Sequence, residues 1–118
     1  MNPIPGYKTT MEVIKHGSGG VKTVVAGCRV TVHATGSIKD TGFKFWSTKD
    51  PGQTPFEFPA GIGRVITGWD QGVLGMKIGE VRRLEIPSSE GYGPGGFPAW
   101  KIPPNATLIF EIEVLSVA

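Results

Sequence analysis

Glycine and proline interrupt this chain so often that strands and turns are expected rather than long helices. Of its 118 residues, 18 are glycine and 10 are proline, and most apolar runs between them are short. Proline removes a backbone donor, and glycine weakens helix and strand interiors, so the pattern predicts short strands and turns. Alternation supports this. From Arg29 to Gly36, Val30, Val32 and Ala34 share one face, while Arg29, Thr31, His33 and Thr35 share the other, the period of a half-buried strand. Met11 to Ile14 reads as an earlier strand, closed by Gly17, Gly19 and Gly20. Lys44 to Ser47, Phe56 to Phe58 and Val81 to Ile86 read as further strands. Thr107 to Val117 reads as the last, with Leu108, Phe110, Ile112 and Val114 on one face.

One segment departs from this rhythm. Ile66, Trp69, Val73 and Met76 recur at helical spacing. Thr67 followed by Asp70 resembles a capping arrangement, with the acid favourable in the first turn, and Gly75 or Gly79 can end the helix. One short helix among short strands predicts an α+β fold, an antiparallel sheet wrapped over a single helix. The length suits one domain spanning residues 1–118, with residues 1–6 expected as a loose amino-terminal extension.

Charge and cysteine content narrow the function. The net charge is only +2, and Lys77, Arg82 and Arg83 are the nearest approach to a basic cluster, expected as solvated strand charges, so no nucleic-acid partner is expected. Cys28 is the single cysteine, which excludes an intrachain disulfide and fits a reducing, cytoplasmic setting. No apolar run approaches the roughly 18 residues of a membrane span, and Met1 to Tyr7 lacks the apolar stretch of a signal peptide. His16 and His33 are the only histidines, read as solvated and as packed on a strand respectively. With one cysteine they argue against a zinc site. The glycines at 17, 19 and 20 do not form a phosphate loop, and no paired carboxylates suggest acid–base chemistry. No cofactor is expected.

The informative surplus is aromatic. Phe45, Trp46, Phe56, Phe58, Val65, Ile66, Trp69, Tyr92, Phe97, Trp100 and Ile102 crowd the stretch from 45 to 102. The run from Gly91 to Trp100 places three aromatic rings in a glycine-rich loop, which a ligand cleft uses more often than a core does.

These residues fall in a familiar order. Val32-His33-Ala34-Thr35-Gly36 is followed by Phe45, Asp50 and Phe56-Glu57-Phe58. Then come Val65-Ile66-Thr67-Gly68-Trp69-Asp70-Gln71-Gly72-Val73, Met76, Gly79, Tyr92-Gly93 and Ile102-Pro103-Pro104-Asn105-Ala106-Thr107-Leu108-Ile109-Phe110. From about Tyr7 to Val117 the series resembles the FKBP family of immunophilins, the tacrolimus-binding peptidyl-prolyl cis–trans isomerases. The resemblance implies a five- to six-stranded antiparallel sheet curled around one short α-helix, acting as a monomer on proline-containing polypeptides. It implies Trp69 as the floor of the cleft, Phe45, Phe56, Tyr92 and Phe110 as its walls, and the Ile66 N–H as donor to the ligand beside Val65. It makes Phe45, Tyr92, Ile66, Trp69 and Phe110 the catalytic candidates. Trp46, Asp50, Phe56, Val65, Phe97, Trp100 and Ile102 join them as candidates for contact with substrate or macrolide.

Two departures qualify the resemblance. Many members carry tyrosine where Ala34 stands and aspartate where Trp46 stands, a hydrogen-bonded pair that is lost here as a pair. Tacrolimus and rapamycin are therefore expected to bind with reduced affinity, and a proline-peptide or macrolide-binding module with weak or no turnover is the alternative function. Closure of the cleft over Trp69 by Trp46 or Trp100 would leave an interaction domain only. One extra residue near Gly52-Gln53-Thr54 and one near Trp100-Lys101 alter two loops at the cleft edge.

Overall fold

A computed structural model describes residues 2–17 and 22–118. The strands are β1 (Asn2–Pro3), β2 (Thr10–Lys15), β3 (Arg29–Ile38), β4 (Lys44–Ser47), β5 (Phe56–Pro59), β6 (Val81–Ile86) and β7 (Leu108–Val117), with helix α1 (Thr67–Gly72) between β5 and β6. They form one seven-stranded sheet in the order β1-β2-β6-β7-β3-β4. Every pairing is antiparallel. β7 runs along the whole of β3, and the other edge of β3 is shared end to end by β5, beside residues 29–32, and β4, beside residues 35–37. The expected α+β architecture is the one observed, with more strands because β1 also pairs. The amino-terminal segment is pinned rather than loose. Asn2 and Pro3 pair with Met11 and Thr10, and the Ile4 N–H donates to the Thr9 carbonyl at 3.0 Å.

Period-two alternation selects the core. Val30, Val32, Ala34 and Ile38 of β3 face Leu108, Phe110, Ile112 and Val114 of β7, and all are buried. Each large aliphatic chain withdrawn from water contributes about 1.5–3 kcal/mol. After Val114 the alternation would fail, but a bulge inserts Leu115, and Val117 returns to the core. His33, on the opposite face, sits with Nδ1 2.8 Å from the Thr48 hydroxyl. Arg82 is not a solvated strand charge. It is buried on β6, pairs with Glu80, and donates to the Gly72 and Leu74 carbonyls at 3.1 and 2.9 Å, placing a cation at the carboxyl end of α1.

The helix is shorter than its apolar stripe. Ile66 is its N-cap and no side chain caps it, so Thr67 and Asp70 do not form the expected capping arrangement. Asp70 is buried and accepts from the Gly61 and Gly63 N–H groups at 2.7 and 2.8 Å, tying down the loop that enters the helix. Val73 and Met76 extend the buried stripe into the following turn. Gly68 and Gly72 face β6. A Cβ on either would lie 2.6 Å from Ile86 or Leu84 side-chain atoms, so both glycines let α1 rest directly on the strand. Gly19 and Gly20, read as closing the first strand, lie outside the described residues. No helix among the described residues is long and apolar enough to cross a membrane.

Candidate active site

Between α1, the ends of β4, β5 and β7, and the loop after β6 lies an open cavity of about 440 Å³, within the size range of small-ligand sites. Trp69 reaches it from α1 and is only 4% exposed. Its ring is caged by Phe110 at 5.3 Å, Phe58 at 5.4 Å, Phe56 at 5.7 Å and Trp46 at 6.0 Å between centroids. The Phe110 and Phe56 rings meet it edge-on, and such pairs contribute about 0.5–1.5 kcal/mol beyond the buried area. The buried indole N–H has no hydrogen-bond partner among the described residues.

The wall from β4 depends on a bulge. Gly36 pairs with Trp46 and Ser37 with Lys44, so Phe45 is the additional residue. A regular strand would send Phe45 and Trp46 to opposite faces, whereas the bulge brings both to the aromatic cluster. Trp46 lines the cavity. Phe45 stands behind it, edge-on to Phe110 at 5.6 Å and 6.1 Å from Trp100. Gly36 makes the space: a Cβ there would lie 2.5 Å from Phe110 and 2.6 Å from Phe45.

The loop after β6 supplies the facing wall. Phe97 and Ile102 exchange backbone hydrogen bonds at 2.9 and 3.1 Å, which closes a short loop around the 3₁₀ turn Pro98–Trp100. Trp100 stacks on Trp46 at 5.7 Å and 18°, and Tyr92 stacks on Phe97 at 5.2 Å and 14°. Trp46 and Trp100 thus form wall and rim, and the cavity over Trp69 stays open.

Of the candidates from the sequence, Trp46, Phe56, Val65, Ile66, Trp69, Tyr92, Trp100 and Phe110 line the cavity. Phe45, Asp50, Phe97 and Ile102 do not. Asp50 is held by Lys44 at 2.8 Å. Ile102 is buried in the core, and Phe97 supports Tyr92 from behind. Gly63 and Arg64 also line the cavity, and the sequence reading missed them. Their position between a glycine turn and Val65-Ile66 was the available signal.

Polar groups in the cavity are few. The Ile66 N–H donates to no acceptor among the described residues, although its carbonyl accepts the first bond of α1 from Asp70. Burial raises the Tyr92 phenol above its ordinary value of 10.0, so it remains a hydrogen-bond donor through neutral and mildly alkaline pH. Among the described residues, no carboxylate, imidazole or thiol lines the cavity. Such a cavity can desolvate and orient a ligand, but it contains no acid–base pair or nucleophile to break a bond.

Sheet, helix and cavity together have the form of an FKBP-type domain. The family model described as FKBP-type peptidyl-prolyl cis-trans isomerase matches residues 20–115. The chain is 58% identical over 108 residues to a peptidyl-prolyl cis-trans isomerase FKBP12 of Arabidopsis thaliana, covering 90% of this chain and 95% of that protein. It is 57% identical over 106 residues to the FKBP12 of Vicia faba, covering 88% and 93%. It is 46% identical over 106 residues to FK506-binding protein 1 of Dictyostelium discoideum, covering 90% and 94%. The chain belongs to the FKBP-type peptidyl-prolyl cis–trans isomerase family, and it is a peptidyl-prolyl cis–trans isomerase.

Proposed function

We propose that the cavity floored by Trp69 is where the X–Pro bond turns, with Phe45, Tyr92, Ile66, Trp69 and Phe110 as the working residues. Rotation is slow in water because twisting the amide destroys its resonance, a barrier of about 18–20 kcal/mol. No bond breaks, so a site without a nucleophile or proton shuttle suffices. The site must bind the twisted amide better than either planar isomer. A planar amide has the larger dipole and the stronger hydration, so it loses more on entering an apolar cavity. The proline ring rests on Trp69 between Phe56 and Phe110. The Ile66 N–H and the Tyr92 hydroxyl hold the flanking carbonyls, and Phe45 keeps Phe110 in place. Lowering the barrier by about 5–7 kcal/mol would accelerate rotation roughly 10⁴–10⁵-fold.

The observation that carries this reading is the pairing of an aromatic-caged floor with two unsatisfied donors, the Ile66 N–H and the Tyr92 hydroxyl, at its edge. The substrates are proline-containing polypeptides, met by a single cytoplasmic domain acting as a monomer. Tacrolimus and rapamycin occupy the same cavity with affinity reduced by the missing polar pair at Ala34 and Trp46. The test is cis-to-trans conversion of a Leu-Pro peptide by wild type and by the Trp69→Leu/Tyr92→Phe double variant, with near-ultraviolet dichroism confirming both folds. Loss of the hydroxyl contact alone corresponds to about a 2- to 12-fold drop, and loss of the floor adds to it. A wild-type rate no better than that of the double variant overturns the assignment. Binding without acceleration would instead favour a proline-peptide-binding module.

A further inference from the structure

Among the described residues, Arg64 is the only charged side chain lining the cavity, and none of them gives it a hydrogen-bond, ion-pair or ring partner. The acids on nearby stretches of chain are already engaged. Asp70 is committed to the Gly61 and Gly63 N–H groups, Glu57 to Arg29 at 3.2 Å, and Asp50 to Lys44 at 2.8 Å. The backbone that carries the arginine is held in place, while its side chain is exposed. Asp70 fixes the chain on the amino-terminal side, and α1 begins just after Ile66 on the other. An uncompensated guanidinium at the edge of an apolar cleft gives the entrance a positive potential, and low-dielectric walls concentrate that field. Guanidinium groups also match carboxylates in a planar, two-pronged geometry.

We propose that Arg64 is a specificity-determining residue that selects X–Pro substrates carrying an acidic side chain close to the proline. The inference rests on the cleft over Trp69 being the place of isomerisation, and it names the substrate class for that cleft. Arg64 does not act on the turning bond. It raises the share of encounters in which an acidic segment is correctly seated, so its effect appears in kcat/KM and depends on salt. An exposed ion pair of this kind contributes about 0.2–1 kcal/mol, corresponding to a preference of roughly 1.4- to 5-fold.

The experiment uses peptides with a fixed Leu-Pro core and glutamate, glutamine or lysine at the two positions before the core and the two after it. Interconversion rates are read by exchange spectroscopy for wild type, Arg64→Met and Arg64→Glu. At one of these positions, wild type should favour glutamate over glutamine and glutamine over lysine. The ratio of glutamate to lysine peptide rates should fall to about one in Arg64→Met and invert in Arg64→Glu. Molar salt should erase the preference of wild type and the inverted preference of Arg64→Glu while leaving Arg64→Met unchanged, because the screening length shrinks to about 3 Å. The same ordering in all three proteins, or no ordering in wild type, overturns the proposal while leaving the cleft assignment intact. Failure of wild type to accelerate even the glutamine peptides overturns the cleft assignment itself, and the proposal falls with it.

Discussion

Replacing Gly36 by alanine should damage the fold and the cleft together, through one methyl group. Gly36 is buried in β3 opposite the bulge that carries Phe45. Its backbone is not in the left-handed region, so alanine incurs no conformational strain there and gains about 0.4–1 kcal/mol from the unfolded chain. Against that gain stands the geometry. The new Cβ would lie 2.5 Å from a Phe110 ring carbon and 2.6 and 2.9 Å from two of Phe45. Both rings are wedged, Phe45 against Phe110 at 5.6 Å and Phe110 against Trp69 at 5.3 Å, so neither can swing away freely. Overpacking of this kind costs about 1–3 kcal/mol. Offset by the entropy gain, the net loss should be about 1–2 kcal/mol, or a fall in Tm of roughly 3–8 °C for a domain of this size. Urea unfolding followed by tryptophan fluorescence measures the first effect. Proline isomerisation measures the second, because Phe110 displaced from Trp69 loosens the floor. kcat/KM should drop about three- to tenfold, the equivalent of roughly 0.7–1.4 kcal/mol. Adding Phe45→Leu should return part of the stability. Gly95→Ala is the control: its Cβ meets no atom within 4 Å, and its stability should stay within about 0.5 kcal/mol of wild type. If Gly36→Ala matched wild type in both assays, the close-approach argument would be refuted.

Two further outcomes follow from the polar contacts. Glu90 feels some desolvation, which raises its pKa. The Thr9 hydroxyl, the Lys8 and Thr9 N–H groups at 2.8 and 2.7 Å, and the Lys8 charge outweigh it and hold the carboxyl below its ordinary value of 4.5. A depressed folded-state pKa contributes stability that is present above the unfolded value and is lost as pH falls through the folded one. Glu90→Gln should therefore cost about 1 kcal/mol near neutral pH, a modest figure because water reaches this carboxylate. Urea titrations should show the gap closing on acidification below 4.5; a gap unchanged at pH 2–3 would contradict the assignment. For macrolides, Trp46→Asp alone strands a carboxylate among Phe56, Trp69 and Trp100 with only Ala34 where a hydroxyl partner would stand, so it should lose stability. Ala34→Tyr with Trp46→Asp restores both partners, and calorimetry should show tighter tacrolimus binding than wild type; equal affinity would sink the paired-loss explanation.

The long strands were legible because each carries its own period, as Val30, Val32 and Ala34 show in β3. Val81 to Ile86 was read with the bounds of β6, but its period is broken at Arg82, a charge at an inward, buried position. The bulges were not legible, because inserting one residue is a pairing property that a single strand cannot reveal. The bulge at Phe45 decides that both aromatic residues of β4 serve the cleft, a point that alternation alone would have denied. Helical spacing found the right apolar residues but overstated the helix. Val73 and Met76 keep the stripe by a turn whose carbonyls are satisfied by Arg82 and by local bonds. Asp70 looked like a helix-start acid because its real partners, the Gly61 and Gly63 N–H groups, precede the helix in a loop of no regular period. Arg64 was missed for a related reason: no periodicity marks it, and only its place between a glycine turn and Val65-Ile66 pointed to the cavity.

Core and cleft share residues here, and that sets which positions are free to change. Trp69 and Phe110 are 4% and 3% exposed while also lining the cavity, so any substitution at the floor alters packing and chemistry at once. Gly36 is bound to the same arrangement, since β3 offers a residue without a side chain opposite Trp46 and against the Phe45 and Phe110 rings. The rim is under no such constraint. Trp100 and Phe97 are 38% and 36% exposed, and Arg64 is exposed as well. A change at the rim reshapes the entrance to the cavity without unseating its floor. If the amide turns on that floor, as proposed, selectivity among proline-containing chains is free to diverge at the rim, while rotation depends on a floor fixed by the requirements of folding.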